Sequence, residues 1–403
     1  MYFFGIDWAN EKHDICVMDP NGKVLKQFTI AQSLAGFQTL ERFVLKYGIE
    51  NVRLNIERSD GLLVDWIMAR GWALHITPAV VVARRRPRRA KSDVSDAYLL
   101  AYLLRLEDPD CRLLTRSSTI VLHLRELVRA LDSTLAEQRR LGNRFRYILL
   151  QYFPSALKLF SRVEHLITLA FLEHFPTLEE ARKLTPYKLK RFLKQHHYYR
   201  YDNIPQLLEV LRAPMPNATI PDGYVAQVKV LVPLLRQIHH TIHQLEKDIA
   251  MVFATHPEAA WWRSLPGAHG VLTSARMLAW VGDDRNRFPT PETLQAIAGT
   301  APVTRRSGKS LAVEFRRACS HPLRKAADDF ARQSVRHSKW ARAYLDSQVS
   351  RGHNRARAFR ALANRWMKII WTLWQRREAY DEAKHAANRT QHAMSKPKAR
   401  AAA

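Results

Sequence analysis

The 403-residue chain is poor in cysteine: it has three, Cys16, Cys111 and Cys319, far apart and odd in number. They support neither a disulfide framework nor a zinc site. No apolar run approaches the ~20 residues that a membrane span needs, so no membrane partner is expected. The N-terminus, MYFFGIDWANEKHD, reaches acidic residues too early for a signal peptide, and a cytoplasmic protein is the expectation. There is no P-loop pattern, and hence no implied ATP requirement. The histidine pairs His196-His197 and His239-His240 lack metal-ligand spacing. Acidic residues are also in short supply, with 37 Asp and Glu against 64 Lys and Arg, a formal net charge of +27. An excess of that size concerns partners rather than fold and points to polyanions, nucleic acid first. Hydrophobic residues at 47% leave ample material for buried cores and exclude a disordered polybasic chain.

What is present falls into three textures. Tyr2–Ile6, about His13–Met18 and about Val24–Thr29 read as strands, with Pro20-Asn21-Gly22 as a hairpin turn. A helix from about Ser33 to Tyr47 follows, then a strand Val52–Glu57, a helix from about Gly61 to Arg70 and a strand Ala73–Ile76. Ser92 is placed to cap a helix from Asp93 to about Leu106. The order is that of a compact α/β unit whose meander gives way to helical crossovers.

The middle of the chain is helical. Ile120, Leu124, Leu127, Leu131 and Leu135 open one heptad-like series, and Tyr224, Val228, Leu231, Leu235, Ile238, Ile242, Leu245, Ile249 and Val252 form a cleaner one. Such stripes fit bundle core, a long hairpin or an oligomerisation stalk, the last two preferred. Pro233 is expected to kink the second helix or mark its start. Between the two series lie short helices broken at Pro176, Pro186, Pro205 and Pro214–Pro221. Helices rich in Arg and Trp run from about Trp261 to Ala386, and a disordered basic tail is expected beyond. The expected divisions are 1–112, 113–258 with the Pro-broken insertion at about 155–222, 259–387, and a tail 388–403.

Four carboxylates stand where this order can gather them: Asp7 at the end of the first strand, Glu57 at the end of the fourth, and Asp93 and Asp96 on one face of a helix start. Acidic groups so close would repel unless a cation neutralised them, and hard oxygen ligands suit Mg²⁺ or Mn²⁺. Singly each has a plainer reading: Asp93 and Asp96 complement a helix dipole, and Asp7 is a turn residue. The topology with these acids resembles the RNase H-like, RuvC-type fold. The wording GIDWANEKHDICV, NIERSDG and KSDVSDAYLLAYLL resembles the N-terminal domain of DEDD-type insertion-sequence transposases. Where that family commonly reads Glu-x-Thr/Ser-Gly, Asp60 follows Glu57-Arg58-Ser59 here, a substitute or extra ligand.

A second stretch carries the same resemblance. SLPGAHGVLTSARMLAWVGD looks like the family's helix-hairpin-helix segment, in which Gly267 and Gly270 would present backbone N–H groups to a phosphate. In AIAGTAPVTRRSGKS, Gly299, Pro302, Ser307 and Gly308 match the family's Gly-x-x-Pro and Ser-Gly positions. Arg316, Arg317, Leu323 and Arg324 match its basic and Leu-Arg positions, while Cys319 stands where Gly is usual. The resemblance implies a bridge-RNA-guided recombinase with a RuvC-like N-terminal domain and a serine-bearing C-terminal domain. Its fold would be an α/β RNase H-like domain, then a mostly α-helical region with a coiled coil, then an α-helical C-terminal domain. It further implies Ser307 as nucleophile, Asp7, Glu57, Asp93 and Asp96 as the Mg²⁺ (or Mn²⁺) site, and a dimer or tetramer acting on donor and target DNA. A bacterial, nucleoid-associated location goes with that. Read without the resemblance, Ser307 is a surface turn serine.

The phosphate-binding candidates are the run Arg84, Arg85, Arg86, Arg88, Arg89 and Lys91, beside the presumed metal site, and Arg305, Arg306, Lys309, Arg316, Arg317 and Arg324 around Ser307. Trp366, Trp371 and Trp374 read better as a buried stripe than as a base-stacking platform. Two other readings compete with the recombinase: a metal-dependent strand or junction nuclease using water, and a non-catalytic architectural nucleic-acid-binding protein.

Overall fold

A computed structural model describes residues 1–85, 93–109, 111–115, 117–214, 223–267, 270–307 and 310–394, with backbone alone at 80, 93–95, 305, 307, 310, 311 and 389–394. The chain divides into two units, Met1–Arg116 and Ser117–Ala403. The first is built on strands β1 (Tyr2–Trp8), β2 (Lys12–Met18), β3 (Val24–Ala31), β4 (Val52–Ile56), β5 (Leu74–Ile76) and β6 (Arg112–Leu113), with helices α1 (Leu34–Tyr47), α2 (Leu62–Ala69), α3 (Ala79–Arg85) and α4 (Asp93–Arg105). The sheet order is β3-β2-β1-β4-β5-β6. The first three strands pair antiparallel, β4 runs parallel to β1, and β5 runs parallel to β4. The expected meander and crossovers are therefore present. The helix α3 and the two-residue β6 were not anticipated.

Strand periodicity divides the core between two faces. Phe4 and Ile6 of β1, with Ile15, Leu54 and Ile56, pack under Phe37, Leu40 and Val44 of α1 and Leu63, Val64 and Ile67 of α2. Phe3, Cys16 and Met18 point the other way, onto Ala97, Ala101 and Leu104 of α4. Each large side chain so buried stabilises the unit by about 1.5–3 kcal/mol. Gly5 lies on the α4 face. A Cβ there would stand 2.0 Å from the Ala97 carbonyl oxygen and 2.4 Å from the Ala101 nitrogen. Only glycine lets α4 lie that close to β1.

In the second unit, α5 (Thr119–Tyr152) and α10 (Gly223–Ala254) form a long antiparallel pair. Its seam buries Val121, Leu124, Val128 and Leu131 against Ile249 and Phe253 at one end, and Phe145, Ile148 and Leu149 against Val228, Leu231, Val232 and Leu235 at the other. The heptad stripes thus find each other within the chain as a hairpin. Helix α10 runs through Pro233 without starting there.

The Pro-broken segment caps the far end of this pair with α6 (Leu166–His174), α7 (Leu178–Arg182), α8 (Pro186–Gln195) and α9 (Ile204–Arg212). Pro176 sits between helices and Pro186 and Pro205 in first turns, where a missing N–H is harmless, and Thr177 and Thr185 cap α7 and α8. At the near end lie α11 (Ala259–Ser264), α12 (Val271–Val281), α13 (Pro291–Ile297), α14 (His321–His337), α15 (Lys339–Ser350), α16 (Arg355–Arg376) and α17 (Glu382–Met394), plus one hairpin, β7 (Val303–Ser307) and β8 (Ser310–Glu314).

Two expectations change here and a third holds. The C-terminal region is not wholly helical, because a hairpin carries the serine. The stretch 388–394, expected in the tail, continues α17; residues 395–403 lie outside the described ones. Trp366 and Trp374 are fully buried and Trp371 donates its Nε1–H to the Phe288 carbonyl at 2.8 Å, which bears out the buried stripe.

Candidate active site

The α4 face of the sheet ends in acids. Two residues beyond Gly5 on β1, Asp7 projects to the same face, one residue short of the strand's end. Glu57 directly follows β4, two residues beyond Asn55, which pairs with Gly5. Because Gly5 admits α4 against β1, Asp96 in its first turns comes down between them. One carboxylate oxygen from each of Asp7, Glu57 and Asp96 lies within 4.8 Å of the others, and Asp96 is only 2% exposed.

Oxygens around a single six-coordinate Mg²⁺ stand about 3–4 Å apart, from bonds of ~2.1 Å. Three hard carboxylate donors at this spacing therefore fit a divalent cation after a small contraction. Asp93 is the first residue of α4, and its side chain lies outside the described part. Asp60 does not join the group: its Oδ1 accepts from Arg58 Nη2 at 3.3 Å, and the Arg58 guanidinium stacks 4.1 Å from the Trp8 ring centre.

Asn55 was not anticipated. It is fully buried, and its Nδ2 donates to Thr77 Oγ1 at 2.9 Å and to the Leu100 carbonyl of α4 at 2.8 Å. It ties the strand that leads to Glu57 to the helix that carries Asp96. Its partners lie 22 and 45 residues away, so no local pattern announces it.

Ser307 is the last residue of β7 and pairs with Ser310, leaving Gly308 and Lys309 as the connection. Those two residues, and the side chains of Arg305 and Ser307, lie outside the described part. The foot of the hairpin is well braced. Arg316 Nε donates to the Ala301 carbonyl at 3.2 Å, and Arg324 Nη2 donates to the carbonyls of Arg316 and Arg317. Phe315 sits between the guanidinium groups of Arg324 and Arg360, at 4.3 and 4.2 Å. Gly299 has φ +64°, and a Cβ there would meet Arg324 Nε and Cys319 Sγ at 2.7 Å. Burial pushes the Cys319 thiol up, against the opposing pull of Arg324.

Of the basic candidates, Arg84, Arg85, Arg306 and Arg317 are exposed. Arg85 pairs with the buried Asp108 at 2.9 Å, so it braces the end of α3. Arg86, Arg88, Arg89 and Lys91 lie outside the described residues. Gly267 owes its identity to packing: a Cβ would come within 2.6 Å of the Phe330 ring. A Cβ at Gly270 would meet nothing within 4 Å among the described residues.

A mixed sheet with a carboxylate trio at the foot of a packed helix, followed by a mostly helical region, fits a transposase with an RNase H-like domain. Comparison with known proteins agrees. A DEDD transposase family model of the IS110 type matches residues 4–154, and that of transposases of the IS116/IS110/IS902 family matches residues 261–346. The chain is 31% identical over 398 residues to the "Mini-circle putative transposase for IS117" of Streptomyces coelicolor, covering 94% of this chain and 95% of that protein. It is 26% identical over 383 residues to the "Insertion element IS110 uncharacterized 43.6 kDa protein" of the same organism, covering 92% and 93%. The chain belongs to the IS110 family of DEDD transposases.

Proposed function

We propose that this transposase cuts and rejoins DNA through Ser307, assisted by a divalent metal site on Asp7, Glu57 and Asp96 with Asp93, and that a bridge RNA selects donor and target. The observation that carries the reading is the convergence of three carboxylates at one helix–strand seam in a chain of this family.

In the proposed step the Ser307 hydroxyl gives up its proton and its oxygen bonds to phosphorus. The P–O3′ bond breaks, and the leaving 3′ oxygen takes up a proton. A 3′ hydroxyl from a second strand then attacks the Ser307–phosphate, restoring a phosphodiester and the free serine, so bond energy is conserved. A serine hydroxyl needs such activation, being a poor nucleophile alone. When bound, Mg²⁺ or Mn²⁺ neutralises negative charge and polarises a phosphate oxygen. Arg306 and Arg317, both exposed, are suited to hold the backbone phosphates, with Arg305 and Lys309 as further candidates. The bracing of Phe315, Arg316 and Arg324 fixes the base of the hairpin. Joining two DNA sites calls for several active sites, which makes a dimer or tetramer part of this reading.

The test incubates protein, the element's RNA and end-labelled DNA with Mg²⁺, then looks for a protein–DNA adduct that survives denaturation. Wild type should form it and Ser307→Ala should not. Unchanged cleavage by Ser307→Ala would favour water as nucleophile, and tight binding without cleavage under any divalent metal would favour an architectural role.

A further inference from the structure

We infer that the outer face of α8, with the turn that follows it, is a docking surface for an unpaired stretch of RNA. The segment lies between the two family-model matches, which end at residue 154 and resume at 261, so the proposed chemistry leaves it unexplained. Helix α8 buries Leu189, Phe192 and Leu193 in the core at the far end of the hairpin. Its opposite side presents Tyr187, Lys190, Arg191 and Lys194, all exposed, at positions i, i+3, i+4 and i+7. Tyr199 and Arg200 extend the surface past the helix end. From Arg182 to Arg200 there are seven Lys and Arg and no Asp or Glu, the flanking acids being Glu180 and Asp202. Arg182 is the exception in role, since it donates to the carbonyls of Leu211 and Ala213.

Two features go beyond a solvated charged face. Tyr187 and Tyr199 are 76% and 66% exposed, leaving most of two aromatic rings in water. The turn is also held in an uncommon conformation: His197 has φ +55°, where glycine usually follows a helix, and its Nδ1 lies 3.1 Å from the Tyr199 hydroxyl. Tyr199 packs edge-on to Tyr201, over whose ring Lys190 Nζ sits at 5.6 Å. A strained backbone thus holds an exposed ring in place among cations.

Cations match phosphates, and flat rings match base faces. Duplex DNA hides its base faces, and exposing them is costly, whereas unpaired bases are ordinary in RNA loops; this selects RNA as the occupant. A membrane surface is disfavoured because the outward side of α8 carries no aliphatic residue or phenylalanine. The inference deepens the RNA partnership proposed above and rests on it.

The experiment uses the full-length protein and fluorescence anisotropy with three probes: a uridine RNA of about 12 nucleotides, within the usual single-strand site size, thymidine DNA of equal length, and duplex DNA. The Tyr187→Ala/Tyr199→Ala variant should lose roughly tenfold or more of RNA affinity per ring, with duplex binding and thermal stability unchanged. Tyr187→Phe/Tyr199→Phe should retain RNA affinity, because the ring faces remain. Lys190→Gln/Arg191→Gln should flatten the salt dependence of RNA binding. Equal RNA binding by wild type and the alanine variant overturns this surface while leaving RNA guidance standing. Parallel loss of RNA and duplex binding also overturns it. A wild type that prefers thymidine DNA to RNA counts against the RNA partnership itself.

Discussion

Gly5 sets the spacing on which the acidic trio depends. The atoms that a methyl group there would strike are backbone atoms of α4, which cannot turn aside as a flexible side chain would. Overpacking of this kind costs about 1–3 kcal/mol. Gly5→Ala should therefore lower the unfolding temperature and, by lifting Asp96 from Asp7, weaken Mn²⁺ binding measured calorimetrically. Intact Mn²⁺ affinity in that variant would show that α4 does not set the site. Asn55→Ala should cost about 1–3 kcal/mol in urea unfolding, because it strips buried groups of their donor. The trio was legible in the sequence because Asp7, Glu57 and Asp96 each stand beside an element boundary with its own signal. Gly5 and Asn55 were not, since their reasons lie in α4 and in Thr77, contacts that only the folded chain makes.

At the scale of elements, alternation found β1, β2 and β4 because each has one or two buried faces, while the Pro20-Asn21-Gly22 turn signal pointed to the largely exposed β3. It missed β7 and β8 because Thr304, Arg306, Ala312, Val313 and Glu314 are exposed; a hairpin standing in solvent leaves no apolar rhythm. The heptads announced α5 and α10, yet could not say whether their partner lay in the same chain. The start of α5 has its own clamp. The Ser118 N–H donates to Asp283 at 3.2 Å, and His256 Nε2 lies 3.6 Å from the same carboxylate. Burial alone would raise the Asp283 carboxyl, but the hydrogen bonds from His256 and Ser118 outweigh it and hold it at about 2. An unfolded aspartate titrates near ~3.9. The clamp's contribution is therefore complete above about pH 4 and is lost as pH falls through about 2. Denaturant unfolding between these values should show stability falling with acid in wild type and a flatter profile in Asp283→Asn.

For the whole molecule, the +27 charge resolves into arginines with different employments. Arg306 and Arg317 are exposed near Ser307, while Arg85 is committed to Asp108. If the first two meet duplex phosphates, Arg306→Gln and Arg317→Gln should each reduce the slope of log affinity against log salt by about 1. Arg85→Gln should leave the slope alone and lower stability instead. Titrations of duplex DNA at several salt concentrations, beside thermal melts, separate the two cases. The paired helices add a metric property. A 34-residue helix such as α5 is about 50 Å long at ~1.5 Å per residue, the length of about 15 base pairs at ~3.4 Å each. With one core at each end, the pair would act as a ruler on the proposed reading: a strand gripped at the outer end would be held a fixed number of nucleotides from whatever the inner one holds.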